Sequence, residues 1–231
     1  MTTLSPEESH HLSVVLRKRA GDEIRLSDGQ GRTFLGVIET LSKKSAVVRL
    51  QELLPAAVLN GRLLFAQALL KGEKMEFVLE KAVELGVATF SPFLSSRTVV
   101  EWKPGSDKIH RWRKIAEAAS KQCGRSLHMK VDEPVTFEAL VAKAESEVKI
   151  VFWEEATESL RLFFGNRAKA LQGPTQTVAI LIGPEGGFSK DEIDFAVRHG
   201  FAKLSLGPFV LRAETAALTA ISLIQYELGN I

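Results

Sequence analysis

The sequence predicts an α/β protein in which a parallel sheet with helices on both faces follows a small antiparallel domain. Three observations support this prediction. From residue 62 onward, nearly continuous apolar segments alternate with segments of helical periodicity, a pattern typical of parallel sheets. Residues 1–60 instead contain short segments of alternating polarity, as expected of antiparallel strands. The chain of 231 residues, 45% hydrophobic and 25% charged, has the length and composition of a globular protein with one large domain or two smaller ones.

The first sixty residues are predicted to form a small barrel of antiparallel strands with one helix. Ser5-Pro6-Glu7-Glu8 matches a capping box with proline at the first helical position, so a helix should begin there and end near Leu16. Asp28-Gly29-Gln30-Gly31 supplies the glycines of a tight hairpin turn. Leu53–Gly61, which contains Pro55, is interpreted as a linker. The strands are expected at Glu23–Ser27, Arg32–Thr40 and Ala46–Gln51.

The rest of the chain is predicted to alternate between strands and helices, starting with an apolar strand at Arg62–Leu69. The helix that follows, Glu73–Leu85, has apolar residues at helical spacing and Gly86 as its C-terminal stop. A long basic helix is expected at Ser106–Gln122. Further strands are expected at Thr89–Phe93, Lys149–Trp153, Thr177–Ile182 and Lys203–Leu206. Further helices are expected at Phe137–Ala144, Lys190–His199 and Glu214–Leu228.

Ligands of open parallel sheets bind beyond the carboxyl ends of the strands, and one predicted strand ends in the glycine-rich segment 183–189. Its three glycines let the backbone approach a ligand closely, and Gly186 is expected to need a positive φ. The spacing matches neither the P-loop nor the dinucleotide-binding pattern, and Glu185 would repel a phosphate. The segment therefore suits a neutral or cationic ligand, such as a ribose hydroxyl or a sulfonium. A plain strand-to-helix turn is an equally good interpretation.

A second unusual segment, residues 206–217, joins the last predicted strand to the last helix. Glu214 falls in the first turn of that helix, where the helix dipole favours a carboxylate. Arg212 has two open interpretations, a ligand-binding residue or a structural ion-pair partner of Glu214. A third strand end carries Lys71-Gly72.

Charge is distributed unevenly along the chain. The formal net charge is only +2, yet residues 97–130 contain nine basic and three acidic side chains. A polyanion would be attracted to such a surface. The alternative is an ordinary solvated helix face.

Composition also excludes several classes of protein. A single cysteine, Cys123, and five scattered histidines provide neither an internal disulfide nor a zinc site, so no metal is expected. The longest clean apolar stretch, Val178–Ile182, is far shorter than the roughly 20 residues that cross a bilayer. The first residues lack the basic and apolar regions of a secretory signal. We therefore expect a cytoplasmic protein without membrane association.

The two loop segments resemble the paired signatures of the SPOUT methyltransferases. Within that superfamily, the chain is most similar to the ribosomal RNA small subunit methyltransferase E family. The similarity covers nearly the whole chain, and its supporting motifs occur in the family's order. They are His11–Arg17, Gly21–Ile24, Lys71-Gly72, Glu80–Val87, Arg111–Ile115, Gly183–Ser189 and Leu206–Ala216.

The resemblance implies a PUA-like β-barrel RNA-binding domain over residues 1–55 and a SPOUT methyltransferase domain over residues 61–231. The latter is a SPOUT α/β-knot, a parallel sheet whose C-terminal part is threaded into a deep trefoil knot, which is a rare exception to unknotted topology. The family's barrel has a further strand ahead of Leu4. Its members act as homodimers that methylate N3 of a uridine in 16S ribosomal RNA of the small ribosomal subunit, with S-adenosylmethionine as cofactor.

The family's cofactor-binding residues carry over to matching positions in the two loops. One wall of the site would be formed by Gly183, Pro184, Glu185, Gly186 and Gly187. The other wall would be formed by Leu206, Gly207, Leu211, Arg212, Thr215 and Ala216. No catalytic base is evident in the sequence.

Three cations are candidates for stabilising the negative charge that develops on uridine O2 and O4, namely Arg97, Lys71 and Arg125. Contact with RNA phosphates, or plain solvation at the surface, is at least as good an interpretation for each. If the basic segment serves RNA alone, replacing Arg97 and Arg125 should leave cofactor affinity unchanged. Two other functions remain open: methylation of another RNA target, such as transfer RNA or a ribose 2′-hydroxyl, and RNA binding without catalysis.

Overall fold

The computed structural model describes residues 1–56, 59–165 and 176–231. The strands are β1 (Thr2–Thr3), β2 (Glu23–Ser27), β3 (Thr33–Leu41), β4 (Ala46–Leu54), β5 (Arg62–Ala68), β6 (Thr89–Leu94), β7 (Lys130–Val131), β8 (Val135–Thr136), β9 (Val148–Phe152), β10 (Thr177–Ile182) and β11 (Ala202–Leu204). The helices are α1 (Pro6–His10), which continues as a π-helical turn over His11–Val15, α2 (Lys74–Glu84), α3 (Asp107–Cys123), α4 (Phe137–Ala142), α5 (Leu160–Gly165), α6 (Lys190–Arg198) and α7 (Ala213–Glu227). The chain divides into two compact units, Met1–Ala57 with Gly124–Leu127, and Val58–Cys123 with His128–Ile231.

The first unit is built on an antiparallel sheet of four strands in the order β1-β4-β3-β2. Ser5 begins α1 as predicted, because its hydroxyl accepts a hydrogen bond from the backbone N–H of Glu8 (3.2 Å). The turn between β2 and β3 places Gly29 and Gly31 at φ values of 73° and 103°, which explains the two glycines. The core of the unit consists of Leu12, Ile24, Ile38, Ala46 and Val48.

The second unit contains a parallel sheet in the order β11-β9-β10-β5-β6-β7, with β8 also paired to β6. Every pairing recorded in this sheet is parallel. Because parallel strands end at the same edge, the segments that follow β5, β6, β9, β10 and β11 meet along one edge of the sheet.

Helices cover both faces of the parallel sheet, and β5 shows how the sequence produces this arrangement. Its residues Leu63 and Phe65 pack into one core cluster, which includes residues of α2, α3 and α7. Ala66 and Ala68 pack into a second cluster, with residues of α4 and α6. A strand buried on both faces needs apolar residues at consecutive positions, and this is the continuous pattern that the sequence shows.

The predicted elements are confirmed with small shifts of their ends. The prediction missed α5 and the two-residue strands β1, β7 and β8. The strand β1 lies ahead of Leu4 and pairs with β4. The predicted linker was wrong at its start, because Leu53 and Leu54 extend β4 through their pairing with β3, and its residues 57–58 lie outside the described residues. The trefoil knot concerns the threading of the chain, which strand pairing does not test, and it stays a prediction.

Candidate functional site

A cavity of about 480 Å³ lies at the carboxyl edge of the parallel sheet. Its walls come from the segments after β9, β10 and β11, together with the N-terminal turns of α7 and Lys74 of α2. The volume falls within the range of pockets that bind small molecules. Two segments contribute most of the lining: the glycine loop, Gly183–Gly187, and the C-terminal loop, Ser205–Arg212.

Ten of the eleven residues predicted to bind the cofactor line this cavity. They are Gly183, Pro184, Glu185, Gly186, Gly187, Leu206, Gly207, Leu211, Arg212 and Ala216. Thr215 does not line it and is exposed. The reason is helical geometry, since Ala213 and Ala216 lie three residues apart on the face of α7 toward the cavity, whereas Thr215 projects from another face.

The glycine loop is held from both ends by buried contacts. At its start, the buried amide of Gln67 donates to the carbonyl of Gly183 (3.0 Å). At its end, the buried Phe188 ring stacks on Phe93 with a centroid distance of 6.2 Å. A Cβ at Gly183 would lie 3.2 Å from the Phe188 ring, so only glycine fits there without movement. The loop is therefore a rigid wall of the cavity.

The reason for a glycine at position 186 differs from the one that the sequence suggested. The predicted positive φ occurs at Gly187 (68°), not at Gly186. A Cβ on Gly186 would lie 3.3 Å from the Cβ of Arg97. The Arg97 guanidinium also donates through Nη1 to the carbonyl oxygen of Gly186 (2.9 Å). Gly186 thus makes room for Arg97, which packs along the loop.

Glu185 is occupied by contacts within the protein. Its Oε1 accepts from the backbone N–H of Lys71 (3.2 Å) and from the Lys74 ammonium (3.4 Å). Burial alone would raise the pKa of Glu185, but hydrogen bonds from its own N–H and that of Lys71, with the charge of Lys74, hold the pKa below its ordinary value. The carboxylate therefore fixes the glycine loop to the segment after β5.

The same lysine contacts Glu214, the ion-pair partner that one interpretation gave to Arg212. Lys74 Nζ lies 3.5 Å from Glu214 Oε2, so the described ion-pair partner of Glu214 is Lys74. Arg212 is exposed at the N-cap of α7 and lines the cavity.

A buried carboxylate joins the glycine-loop side of the site to the segment after β6. Glu192, only 6% exposed, accepts hydrogen bonds from the backbone N–H of Ser96 (2.8 Å), the Ser96 hydroxyl (2.9 Å) and the N–H of Ser189 (2.8 Å). Burial would raise the pKa of Glu192, but these hydrogen bonds lower it. Ser96 precedes Arg97, and Ser189 follows the glycine loop closely. Glu192 therefore fixes the separation between the two segments that meet at Arg97 and Gly186.

Several cavity residues were missed at the sequence level, among them Lys74, Trp153 and Glu154. Trp153 and Glu154 directly follow β9, so the rule that ligands bind beyond strand ends could have identified them. The carboxylate of Glu154 lies so close to Gly187 that a Cβ there would overlap it. Lys74 had no such signal, since its role depends on partners distant in sequence.

None of the three candidate cations is among the described residues that line the cavity. Arg97 contacts the glycine loop, as described above. Lys71 reaches that loop through its backbone N–H, while its side chain is exposed. Arg125 does not line the cavity and belongs to the first unit, where its Nε donates to the carbonyl of Leu127 (2.6 Å). The roles of the three side chains toward the uridine stay predictions.

Much of the basic charge in residues 97–130 is compensated. Arg111 pairs with Glu76 (2.6 Å), Lys121 with Glu117 (2.8 Å) and Lys130 with Asp132 (2.8 Å). Lys103, Lys108 and Lys114 are exposed and have no ion pair recorded among the described residues. The polyanion-attracting charge of this segment is thus smaller than the sequence count.

The described part of the chain contains no group of three or more His, Cys, Asp or Glu side chains placed to hold a metal ion. None of its described helices has the length and apolar character needed to cross a membrane.

Family models match both parts of the chain. Residues 59–225 match the RNA methyltransferase domain, and residues 4–51 match the RNA methyltransferase PUA domain. The chain is 31% identical to ribosomal RNA small subunit methyltransferase E of Buchnera aphidicola, over 98% of this chain and 88% of the relative. It is 34% identical to the protein of that name from Synechocystis, over 96% of this chain and 72% of the relative.

Two solved structures of similar proteins contain S-adenosylmethionine. One is a methyltransferase from Legionella pneumophila, with 37% identity, a TM-score of 0.86 and coverage of 97% of this chain and 91% of that chain. The other is ribosomal RNA small subunit methyltransferase E from Neisseria gonorrhoeae, with 29% identity, a TM-score of 0.85 and the same coverage of both chains. The SPOUT-type α/β fold and the PUA-like N-terminal domain agree with the expectation from sequence.

Proposed function

Because this chain belongs to the ribosomal RNA small subunit methyltransferase E family of RNA methyltransferases, we propose that it methylates N3 of a uridine in 16S ribosomal RNA with S-adenosylmethionine as the methyl donor. The observation that carries this proposal is the cavity between the glycine loop and the C-terminal loop. The S-adenosylmethionine-bound relatives support the cofactor.

The residues of the cavity fit this cofactor. Apolar walls suit an adenine ring and are provided by Phe152, Ile182, Leu206, Leu211 and Ala216. Close backbone approach is possible at Gly207, where a Cβ would meet nothing within 4 Å and φ is 131°. Acidic and basic side chains both line the cavity, as a ligand with a sulfonium, an amine and a carboxylate requires. We therefore assign the ten lining residues of the two loops to cofactor binding, with Glu185 contributing through its backbone because its carboxylate is held by Lys71 and Lys74.

The protein has to supply only the orientation and activation of the nucleophile. When bound, S-adenosylmethionine supplies a methyl group on a sulfonium, which is electrophilic without a metal or a covalent enzyme intermediate. The chain must hold uridine N3 in line with that methyl group and favour loss of the N3 proton. We assign this role to Arg97, because among the described residues its guanidinium has one acceptor, the carbonyl of Gly186, which leaves N–H groups free to donate to O2 or O4 of the uracil.

Three further features belong to the same proposal. Residues 1–55 serve as the PUA-like RNA-binding domain, and residues 61–231 form the SPOUT domain with its C-terminal knot. The protein acts on the small ribosomal subunit or its RNA in the cytoplasm. It works as a homodimer, supported by the exposure of large apolar side chains on α7, where Leu223 is 40% exposed and Tyr226 67% exposed. Light scattering at micromolar concentration should give twice the chain mass, and a monomeric mass would contradict the dimer.

The test of function is incubation of the purified protein with S-adenosylmethionine and small ribosomal subunits from a strain that lacks it. Primer extension on the recovered 16S RNA should then stop one nucleotide before a single uridine, because a methyl group on N3 blocks base pairing. A parallel reaction with S-adenosylhomocysteine should give no stop. Methyl transfer to transfer RNA or to a ribose 2′-hydroxyl instead, or RNA binding without transfer, would contradict the proposal.

A further inference from the structure

Two carboxylates line the cavity, and their surroundings differ. Glu185 accepts hydrogen bonds from Lys71 N–H and Lys74 Nζ. Lys74 is itself shared with Glu214. The charges of this group therefore compensate one another, and Glu185 has little capacity left for a ligand.

Glu154 has no such compensation. It follows β9 directly, is exposed to the cavity, and has no hydrogen bond or ion pair recorded with any described residue. Its carboxylate lies beside the backbone of Gly187. That glycine has φ of 68°, a conformation that brings the bare backbone of the loop next to the carboxylate. Among the described residues, Glu154 is thus a cavity carboxylate without a protein partner.

We propose that Glu154 recognises the positive charge of the cofactor and so distinguishes S-adenosylmethionine from its neutral-thioether product, S-adenosylhomocysteine. This inference rests on the proposed function. The two molecules share the adenosine and the amino-acid groups and differ in the methyl group and the sulfonium charge. A carboxylate at the cavity wall attracts the sulfonium of S-adenosylmethionine. It has no such electrostatic attraction to the neutral thioether sulfur of the product. Glu154 then favours exchange of spent product for fresh methyl donor.

The experiment compares the affinities of the two molecules for the purified full-length protein by calorimetry, without RNA. Glu154→Gln keeps the shape of the side chain and removes its charge. We expect this variant to bind S-adenosylmethionine about fivefold more weakly, the scale of a partly exposed ion pair. Its affinity for S-adenosylhomocysteine should change less than twofold. The matched control is Glu155→Gln, which removes the same charge from an exposed neighbour that does not line the cavity, and neither affinity should change.

The other outcomes are equally decisive. An equal loss of affinity for both molecules would mean that Glu154 binds a group they share, such as the ribose hydroxyls, and would overturn charge recognition. Unchanged affinities would overturn any role for Glu154 in binding. If the wild-type protein bound neither molecule, the proposed function itself would fail. A thermal melt of each variant verifies that the folded state is retained. Glu185→Gln should weaken the binding of both molecules alike, because it loosens the glycine loop.

Discussion

The glycines of the glycine loop are required for three different physical reasons. Gly183 leaves room for the buried Phe188 ring, and Gly186 leaves room for Arg97. Gly187 alone among them has a left-handed backbone, and it also lies against the Glu154 carboxylate. One short motif therefore serves core packing, placement of a cation and placement of an anion.

Gly187→Ala should damage the site more than its small size suggests. The left-handed conformation costs a residue with a Cβ about 1 kcal/mol, and the new methyl group would displace the carboxylate of Glu154. We expect a loss of stability of about 1–2 kcal/mol in urea denaturation and at least a fivefold loss of S-adenosylmethionine affinity. Gly165→Ala is the control, since a Cβ there meets nothing within 4 Å. Wild-type affinity in Gly187→Ala would show that neither the loop conformation nor Glu154 matters for binding.

Part of the site could be predicted at the level of single residues, and the limit has a clear physical origin. Glycine, proline and a carboxylate after a buried strand indicate a ligand loop, because few other demands favour that composition. The contacts that shape the loop join distant positions: Lys74 and Glu185 are 111 residues apart, and Arg97 and Gly186 are 89 apart. No spacing rule connects such pairs. For the same reason, the sequence led us to expect a positive φ at Gly186, whereas the structure has it at Gly187.

At the scale of elements, α6 and the segment after β6 are joined by one buried carboxylate. Glu192 completes the capping box of α6 with Ser189 and also receives two hydrogen bonds from Ser96. A capping box needs only the first of these contacts. The additional bonds connect helix start and loop, so the ends of β6 and β10 keep a fixed distance at the site.

Glu192→Gln should destabilise the protein in a pH-dependent manner. The folded-state pKa of Glu192 lies below its ordinary value of 4.5, so the ionised carboxylate stabilises the fold at neutral pH. That contribution is lost as the pH falls below about 4.5 through the lower folded-state pKa. The variant should lose roughly 1–3 kcal/mol at pH 7, since an amide cannot accept from all three donors. The difference from wild type should shrink toward pH 3 in urea denaturation. A pH-independent difference, or one equal to that of the control Glu155→Gln, would contradict this role.

The regular elements were predictable where periodicity extends over enough residues to be recognised. The helix α2 and the strands β5 and β10 are long and continuously patterned. By contrast, α5 has six residues, and β7 and β8 have two residues each. The two short strands exist because β6 offers them an edge to pair with. Their existence depends on a neighbour in space, which the local sequence does not encode.

At the scale of the whole molecule, the basic residues are divided between the two compact units. Gly124–Leu127 groups with the first unit, where Gly31 N–H donates to the Ser126 carbonyl (3.0 Å) and Gln30 forms a bridge with Leu127. Arg125 therefore belongs with the proposed RNA-binding domain, although it follows α3 in sequence. Arg97 lies in the second unit, where it contacts Gly186 of the glycine loop. The sequence placed both arginines in one basic segment, and their expected functions now differ.

Separate alanine variants of the two arginines should show this division. Arg97→Ala removes the donor to Gly186 and the packing along the loop, so we expect S-adenosylmethionine affinity to fall about fivefold, with loss of methyl transfer. This replaces the expectation that cofactor affinity is independent of Arg97. Arg125→Ala should leave cofactor affinity unchanged and flatten the slope of log RNA affinity against log salt by about 0.7–0.9, as expected for one lost phosphate contact. Because the residues lie in different units, the effects should add in the double variant. Calorimetry and filter binding at several salt concentrations measure both quantities, and weaker cofactor binding in Arg125→Ala would refute the division.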